Sequence, residues 1–390
     1  MTCSSLVPIG DFLSRSNEWV EPDPSKTYKQ ITARLWGKGL TLRSQVPGSK
    51  ITAAKQLRAR SGQFLVSRSD ARHGAFGIVP DSLDGALVSN DFPCFDIDAR
   101  LVAPEYFEWL SRTSSFVELC RRVSEGSTNR VRLKEEKFLN IEVPLPSLEE
   151  QRRIAERLDR LHGLIEKRRE AIAAAYADLD ILLLKAFEEV IADAPYRRMS
   201  EIAPLVRRAV TEIDPNASYP ELGVRSFGRG TFHKPALTGI EVGSKRLFRI
   251  ESGDLIFNNV FAWEGAVAIA QLGDHGRFGS HRFITCVPLP GTATAYFVLF
   301  YFLTPQGLQR LGEASPGGAG RNRTLGLKKL KDIHVPVPSI EAQHWFNRLL
   351  AKAHHVRRIS EGTAKEIDSL CSAILREAFA GGGIEIPRSV

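Results

Sequence analysis

Two stretches of the chain repeat apolar residues at alternating four- and three-residue steps. The first follows VPLPSLEEQRRI and sets Ile154, Leu158, Leu161, Ile165, Ile172, Leu179 and Leu182 on one stripe, with Arg168 and Ala175 in the two remaining heptad places. The second follows VPVPSIEAQ and sets Phe346, Leu349, Ala353, Val356, Ile367, Leu370 and Ile374 on another, with Ser360 and Thr363 as its weak middle. This spacing predicts coiled-coil seams. Ser147 is a good N-cap, and Glu150 three residues on completes a capping box, while Pro146 precedes the cap where no helical N–H is lost. The second helix starts at Ser339, with Ala342 in the glutamate place. The first is expected to run to about Ala192, with Pro195 beyond it, and the second to end at Gly381-Gly382-Gly383. About forty residues at ~1.5 Å each span roughly 60 Å. Polar residues cover most of both circumferences, so each helix is expected to partner the other rather than sink into a globule.

Ahead of each helix the pattern changes to short apolar runs bounded by glycine and polar residues. RSGQFLVSRSD and ESGDLIFNNVF read as a turn feeding a buried strand. Gly-punctuated loops follow, ARHGAFGIVP and AWEGAVAIA. Next come strand regions (ALVSNDFPCFDI, RFGSHRFITCVPL) and a helix (PEYFEWLSRTSSFVELCRR, TAYFVLFYFLTPQGLQRLG). The expected fold class is α/β: two mixed α/β domains, 1–146 and 195–338, separated by long antiparallel coiled-coil helices at 147–194 and 339–383.

These halves are one module written twice. Tyr28, Arg34, Gly37 and Gly39 recur as Tyr219, Arg225, Gly228 and Gly230, each 191 residues later. The same offset relates Ser61, Gly62 and Gln63 to Ser252, Gly253 and Asp254, Gly74 to Gly265, and Gly85 to Gly276. Pro144, Pro146, Ser147 and Gln151 recur as Pro336, Pro338, Ser339 and Gln343 at an offset of 192. Glycines and prolines hold register while the sequence between them diverges. The backbone plan is therefore shared, and the surface is not.

Composition narrows the function. A 390-residue chain with 43% apolar and 25% charged residues can bury more than one ordinary core. No apolar run is long enough to span a bilayer, and the start lacks a basic n-region with an apolar h-region, so no signal peptide is expected. Cys3, Cys94, Cys120, Cys286 and Cys371 form no C-x-x-C pair, which fits reduced thiols in a cytoplasm. The net charge of +8 favours a polyanionic partner. Catalytic signatures are missing. No glycine-rich cofactor loop with an N/D-P-P-Y type element is present, Ser315-Pro316-Gly317-Gly318-Ala319-Gly320 lacks the ending of a phosphate-binding loop, and His354-His355 point to different helix faces. A binding protein without metal or cofactor is expected.

The order domain, long helix, domain, long helix, with P-[LV]-P-S-[LI]-E-x-Q opening both helices, resembles the specificity subunits of Type I restriction–modification systems. RLWGKG, SRSDARHGAFGIVP and VSNDFP are similar to the target-recognition domains of that family. The resemblance implies two domains that each read one half of a bipartite, asymmetric DNA target, paired helices that act as a ruler, and no catalysis by the subunit itself. It also implies partners: double-stranded DNA, two methyltransferase subunits, and motor-nuclease subunits. The nearest alternative is the specificity subunit of a Type II-like system whose partner is a fused nuclease–methyltransferase. A free-standing enzyme and a coiled-coil scaffold are the readings from other classes.

Base edges are read by Arg and Lys at guanine and by Asn and Gln at adenine, while phosphate contacts fix orientation. In the first domain the candidates are Lys38, Arg43, Gln45, Lys50 and Lys55, then Ser67, Arg68, Arg72 and His73, with Gly74 and Gly77 expected to let that loop approach the duplex. The repeat places Arg229, His233, Lys234, Lys245 and Arg246, then Asn258, Asn259 and Trp263, in the second. Asn258-Asn259 stand where the first copy has Ser67-Arg68, a change of hydrogen-bonding code at one backbone place. Ser127, Asn129, Arg130 and Arg132, matched by Arg321, Asn322 and Arg323, suit phosphate, the helix base or a methyltransferase subunit equally.

Overall fold

The computed structural model describes residues 5–126, 131–317 and 323–380. Cys3, Ser127, Asn129, Arg130, Gly318, Ala319, Gly320, Arg321, Asn322 and Gly381 to Gly383 lie outside the described residues. The chain divides into two compact units, Met1–Ala171 with Gly362–Val390, and Ile172–Glu361. Each unit combines one mixed α/β domain with part of both long helices.

In the first unit an antiparallel sheet runs in the order Leu13–Arg15, Cys94–Ile97, Phe64–Val66, Phe76–Ile78. A second sheet runs Trp19–Val20, Gln56–Arg58, Leu87–Val88, Thr27–Ala33, Leu40–Pro47, with one parallel pairing at Gln30 and Leu87. The second unit repeats both. Leu205–Val206, Phe283–Cys286, Leu255–Asn258 and Val267–Ile269 form one sheet; Thr231–Thr238, Ser218–Val224, Phe278–Ser280 and Leu247–Arg249 form the other, with its parallel contact at Glu221 and Phe278. Each second strand region thus splits between two sheets.

The single helix expected in each domain is two. Thr113 ends Pro104–Ser111 and caps Ser114–Arg122, its hydroxyl donating to the Leu110 carbonyl at 2.7 Å and accepting from the Phe116 N–H at 3.2 Å. Thr304 does the same between Ala295–Leu303 and Pro305–Glu313, bonding Tyr301 at 2.7 Å and Gly307 at 3.2 Å, with Pro305 in the first helical turn. Both sites are side-chain caps that satisfy otherwise orphaned helix-end groups.

The long helices span Leu148–Ile191 and Ile340–Ala380. Ser147 and Ser339 cap them, accepting from the N–H of Glu150 at 3.4 Å and Ala342 at 3.2 Å. The Glu150 carboxylate does not complete the box; it forks onto Arg153 at 2.6 and 2.8 Å. A different residue roots each helix. Gln151, 1% exposed, accepts from the Ala103 N–H at 2.8 Å and donates to the carbonyls of Pro146 at 2.8 Å and Leu101 at 3.2 Å. Gln343, 0% exposed, accepts from the Thr294 N–H at 2.9 Å and donates to Thr292 and Pro338, both at 3.0 Å.

Within the second unit the helices pack antiparallel. Phe187 meets Phe346 with ring centroids 5.2 Å apart, Tyr176 donates to the Arg357 carbonyl at 3.1 Å, and Asp180 pairs with Arg357. Within the first, Ala155 and Leu158 share a core with Phe379, which lies 5.4 Å from the Tyr106 ring. The seams differ in phase from the sequence expectation. The second helix buries or half-buries Phe346, Leu350, Ala353, Arg357, Ser360, Ala364, Ile367, Cys371 and Ile374, an unbroken heptad whose alternate members lie one residue later than expected. The first follows the expected stripe to Ile172, then continues through Tyr176, Leu179, Leu183 and Ala186. Two successive four-residue steps there amount to a local unwinding of the heptad.

Leu182 is 53% exposed and Leu183 is 3% exposed. Replacing Leu183 by Ala is expected to cost about 2–5 kcal/mol in chemical unfolding, and replacing Leu182 by Ala less than about 0.5 kcal/mol. Gln343→Leu leaves one N–H and two carbonyls without their partner. It is expected to cost about 3 kcal/mol in the same measurement, since each buried orphan costs about 1–3 kcal/mol.

Candidate nucleic-acid interface

In each unit a long hairpin ends in a six-residue turn, closed by the Arg34 N–H on the Gly39 carbonyl at 2.9 Å and by Arg225 on Gly230 at 2.9 Å. The turn is fastened to the glycine loop that follows the buried strand. Trp36 N donates to His73 O at 2.7 Å and Gly37 N to Gly74 O at 3.0 Å; Phe227 N donates to Glu264 O at 2.8 Å and Gly228 N to Gly265 O at 2.9 Å. Two regions singled out separately in the sequence, around Lys38 and around Arg72-His73, are therefore one surface feature. Gly74 and Gly265 both have φ 76°, a conformation that side chains rarely adopt. A Cβ on Gly74 would lie 2.8 Å from the Gly37 nitrogen, and one on Gly77 3.1 Å from the Gly39 Cα. Both glycines are buried against the hairpin, so their smallness serves this contact.

Sequence reasoning missed the tips themselves. Trp36 has φ 65° and Phe227 φ 61°, the only left-handed residues other than glycine among the described residues. They are 66% and 71% exposed. A bulky side chain in this region costs roughly 1–3 kcal/mol. The signal was available: an aromatic residue before G-x-G stands at the same place in both copies.

The remaining candidates fall into three kinds. Lys38, Arg43, Gln45, Lys50, Arg229, Lys245 and Arg246 are exposed and have no ion-pair partner among the described residues, although the Arg229 guanidinium lies 5.7 Å from the Phe227 ring centre. Others are engaged. Lys55 is 3.9 Å from Glu21, Arg68 pairs with Glu135, which also holds Arg15 at 3.2 Å, and Arg132 is 3.0 Å from Asp91. His233 Nε2 lies 2.9 Å from Asp274. The Asn258 side chain accepts from the Val260 N–H at 3.1 Å. A third group sits deeper. Ser67 is buried, Arg72, His73 and Lys234 are half-buried, and the Arg72 Nε and Asn259 Oδ1 are buried without a hydrogen-bond partner. Trp263 donates to the Val260 carbonyl at 3.0 Å and carries Arg323 over its ring at 5.2 Å.

Comparison with known proteins now has a geometry to explain. Residues 47–174 match the family described as "Type I restriction modification DNA specificity domain". A chain from a structural study of complex assembly and conformational transition of the type I R-M system is 20% identical, with TM-score 0.69, covering 98% of this chain and 99% of its own. The crystal structure of the HsdS subunit from Thermoanaerobacter tengcongensis is 20% identical, with TM-score 0.54, covering 98% and 97%. The chain has the fold of a Type I specificity subunit. None of the curated proteins matches it in sequence.

In this specificity-subunit fold Lys38, Arg43 and Gln45, with Arg229, His233 and Lys234, lie on the hairpins, and Ser67 to His73, with Asn258 to Trp263, on the glycine loops, whereas Lys50, Lys55, Lys245 and Arg246 lie beyond the hairpins in sequence. Arg132 and Arg323 precede in sequence the proline segments at which the long helices begin, and three exposed lysines, Lys328, Lys329 and Lys331, follow Arg323. Among the described residues no three His, Cys, Asp or Glu side chains could hold a metal ion, and no helix is long and apolar enough to cross a membrane. Cys94 and Cys286 are buried free thiols that desolvation pushes up to about 12, which makes them unreactive packing groups. His354 is pulled below its usual value by burial and by Arg357 and Arg358.

Asp274 organises the second hairpin. Burial opposes its charge, but the Gln271 N–H at 2.9 Å, the Thr231 hydroxyl at 2.8 Å and His233 outweigh that and hold the carboxyl below the ordinary aspartate range. A depressed carboxylate stabilises the fold fully above its unfolded pKa, about 3.9, and the stabilisation is lost as pH falls through the folded value. Unfolding followed between pH 2 and 6 is therefore expected to show a steeper acid loss below about pH 4 in the natural chain than in Asp274→Asn, which is expected to be the less stable of the two at pH 7.

Proposed function

We propose that the chain is the sequence-reading subunit of a Type I restriction–modification complex, each domain contacting one half of a two-part, asymmetric DNA target. The observation that carries this reading is a shared frame with unlike chemistry mounted on it. Ser67-Arg68 and Asn258-Asn259 stand at the ends of equivalent buried strands, and Arg72-His73 and Trp263-Glu264 occupy equivalent loop places, on backbones that match down to the φ of their glycines. Guanidinium and amide groups favour different base edges. Two domains so equipped suit two different half-sites.

Lys38, Arg43, Gln45 and Lys50 in the first domain, and Arg229, Lys245 and Arg246 in the second, are the groups free to meet DNA. Arg68 reaches a base or phosphate only by giving up Glu135, which makes it a switchable contact. The 44-residue first helix is long enough, at roughly 66 Å, to set half-sites a helical turn or more apart, since one turn of B-DNA is ~34 Å. A relative by fold is described in terms of complex assembly. That supports partners here too: two methyltransferase subunits, and motor-nuclease subunits for restriction. The chemistry belongs to those partners, and the assembly would work in the cytoplasm.

A methylation map of the host genome, with and without this gene, tests the reading. The expected result is a single gene-dependent motif made of two unlike half-sites with an unspecified spacer. Loss of no motif, or of one contiguous motif, would sink it.

A further inference from the structure

Both copies keep a left-handed aromatic that neither burial nor the base code accounts for; Trp36 meets the His73 ring edge-on at 6.0 Å, yet both rings stay mostly exposed. A glycine in either place would relieve the backbone, since the turn needs a positive φ and little else. Both copies instead carry a large ring, mostly in solvent. The turns are rigid: two backbone hydrogen bonds hold each tip to the glycine loop, and a third closes it. Basic residues flank the rings, Arg34 and Lys38 beside Trp36, and Arg225 and Arg229 beside Phe227.

We propose that Trp36 and Phe227 stack on nucleic-acid bases, one ring at each half-site, and supply a contact that is the same in both and independent of sequence. The inference rests on the DNA-reading function proposed above. Base faces are covered inside a duplex, so each ring enters as a wedge that parts one base step; a rigidly presented aromatic side chain suits this task, stacking tolerates sequence, and the flanking cations meet the phosphates. That explains why the rings are retained in kind where the neighbouring reading residues are not.

Docking of a protein subunit is the competing use, since each ring also borders a cleft within its own unit. The cleft beside Phe227 has a volume of about 570 Å³ and is lined by Leu303, Leu184 and Tyr296; the one beside Trp36 has about 840 Å³ and presents Arg112, Arg376 and Glu118. Both linings mix apolar and charged groups, but not the same ones: Asp180 and Arg357 join the apolar residues of the first, whereas Arg112, Glu118, Arg121 and Arg376 join Val117, Leu375 and Phe379 in the second. A partner used twice would meet two unlike surfaces there, whereas bases meet two like rings.

The test uses the full chain assembled with its methyltransferase subunits and a duplex carrying both half-sites. Trp36→Gly and Phe227→Gly keep the positive φ at lower strain, so the turns are expected to hold and thermal midpoints not to fall. Each variant is expected to bind the duplex about ten-fold or more weakly, with an unchanged slope of log affinity against log salt, because no phosphate contact is removed. Trp36→Phe is expected to restore most of the affinity. Glycine variants that bind as tightly as the natural assembly would overturn the proposal. So would variants that shed methyltransferase subunits while the remaining intact assemblies bind DNA normally, which would assign the rings to protein docking. If the natural assembly itself fails to prefer this duplex over an unrelated one, the two-half-site reading falls, and this inference with it.

Discussion

The buried amides of Gln151 and Gln343 fix where each long helix leaves its domain. Each joins three segments, the helix start, the proline element before it and the loop ahead of the domain's helices, in a place where water cannot substitute. An amide fits because it offers one acceptor and two donors without charge, and a carboxylate there would face two carbonyls. With the exit direction set, the helix stripes meet their neighbours. Leu158 enters the first core, and Phe346 and Leu350 enter the second. Phe187 and Phe379, on the far ends of the two helices, complete those same cores. Burial of a phenylalanine is worth about 1.5–3 kcal/mol, so the helices belong to the domains energetically as well as to each other.

On this frame the hairpin and glycine loop behave as one rigid element. Backbone bonds between them use the groups that a loose loop would leave to solvent, and Gly74, Gly77 and Gly265 permit the approach. The side chains carried outward differ between copies in charge and hydrogen-bonding capacity. In the first copy, Arg15, Glu135 and Arg68 form a charged chain at the side of the loop. In the second, Asp274 gathers Thr231 and His233 behind the hairpin, leaving amides and an indole on the loop. Similar backbones thus present different electrostatic surfaces.

The sequence carried the repeat, the helices, their serine caps and the buried strands, because glycine, proline and heptad spacings report backbone geometry directly. Seam phase was half legible. Positions 353, 360, 367 and 374 were right, but Val356 and Leu370 invited inclusion by being apolar, whereas burial went to Arg357 and Cys371. A hydrophobic residue beside a seam is indistinguishable from one in it until the partner surface is known. The Thr304-Pro305 break was written in the sequence and overlooked; Thr113 had no proline to announce it. Trp36 and Phe227 were invisible to propensity, since a left-handed aromatic runs against it, and the contact of Gly74 and Gly77 with the hairpin joins segments that no local pattern connects. Ion pairing of Arg68 with Glu135 joins residues far apart in sequence, which no local pattern reveals.

Phe379 completes the first core from near the end of the chain, and this bears on how the protein is made. Ribosomes add ~5–20 residues per second, so the first domain and its helix root emerge tens of seconds before the segment that covers them. Throughout that interval the ring of Tyr106 and the flank of Leu158 lack their cover. The second domain has no such wait, because Phe187 precedes it in the chain. Order of synthesis therefore reverses order of completion: the half translated last can close first, and the half translated first keeps part of its core open until the segment bearing Phe379 arrives.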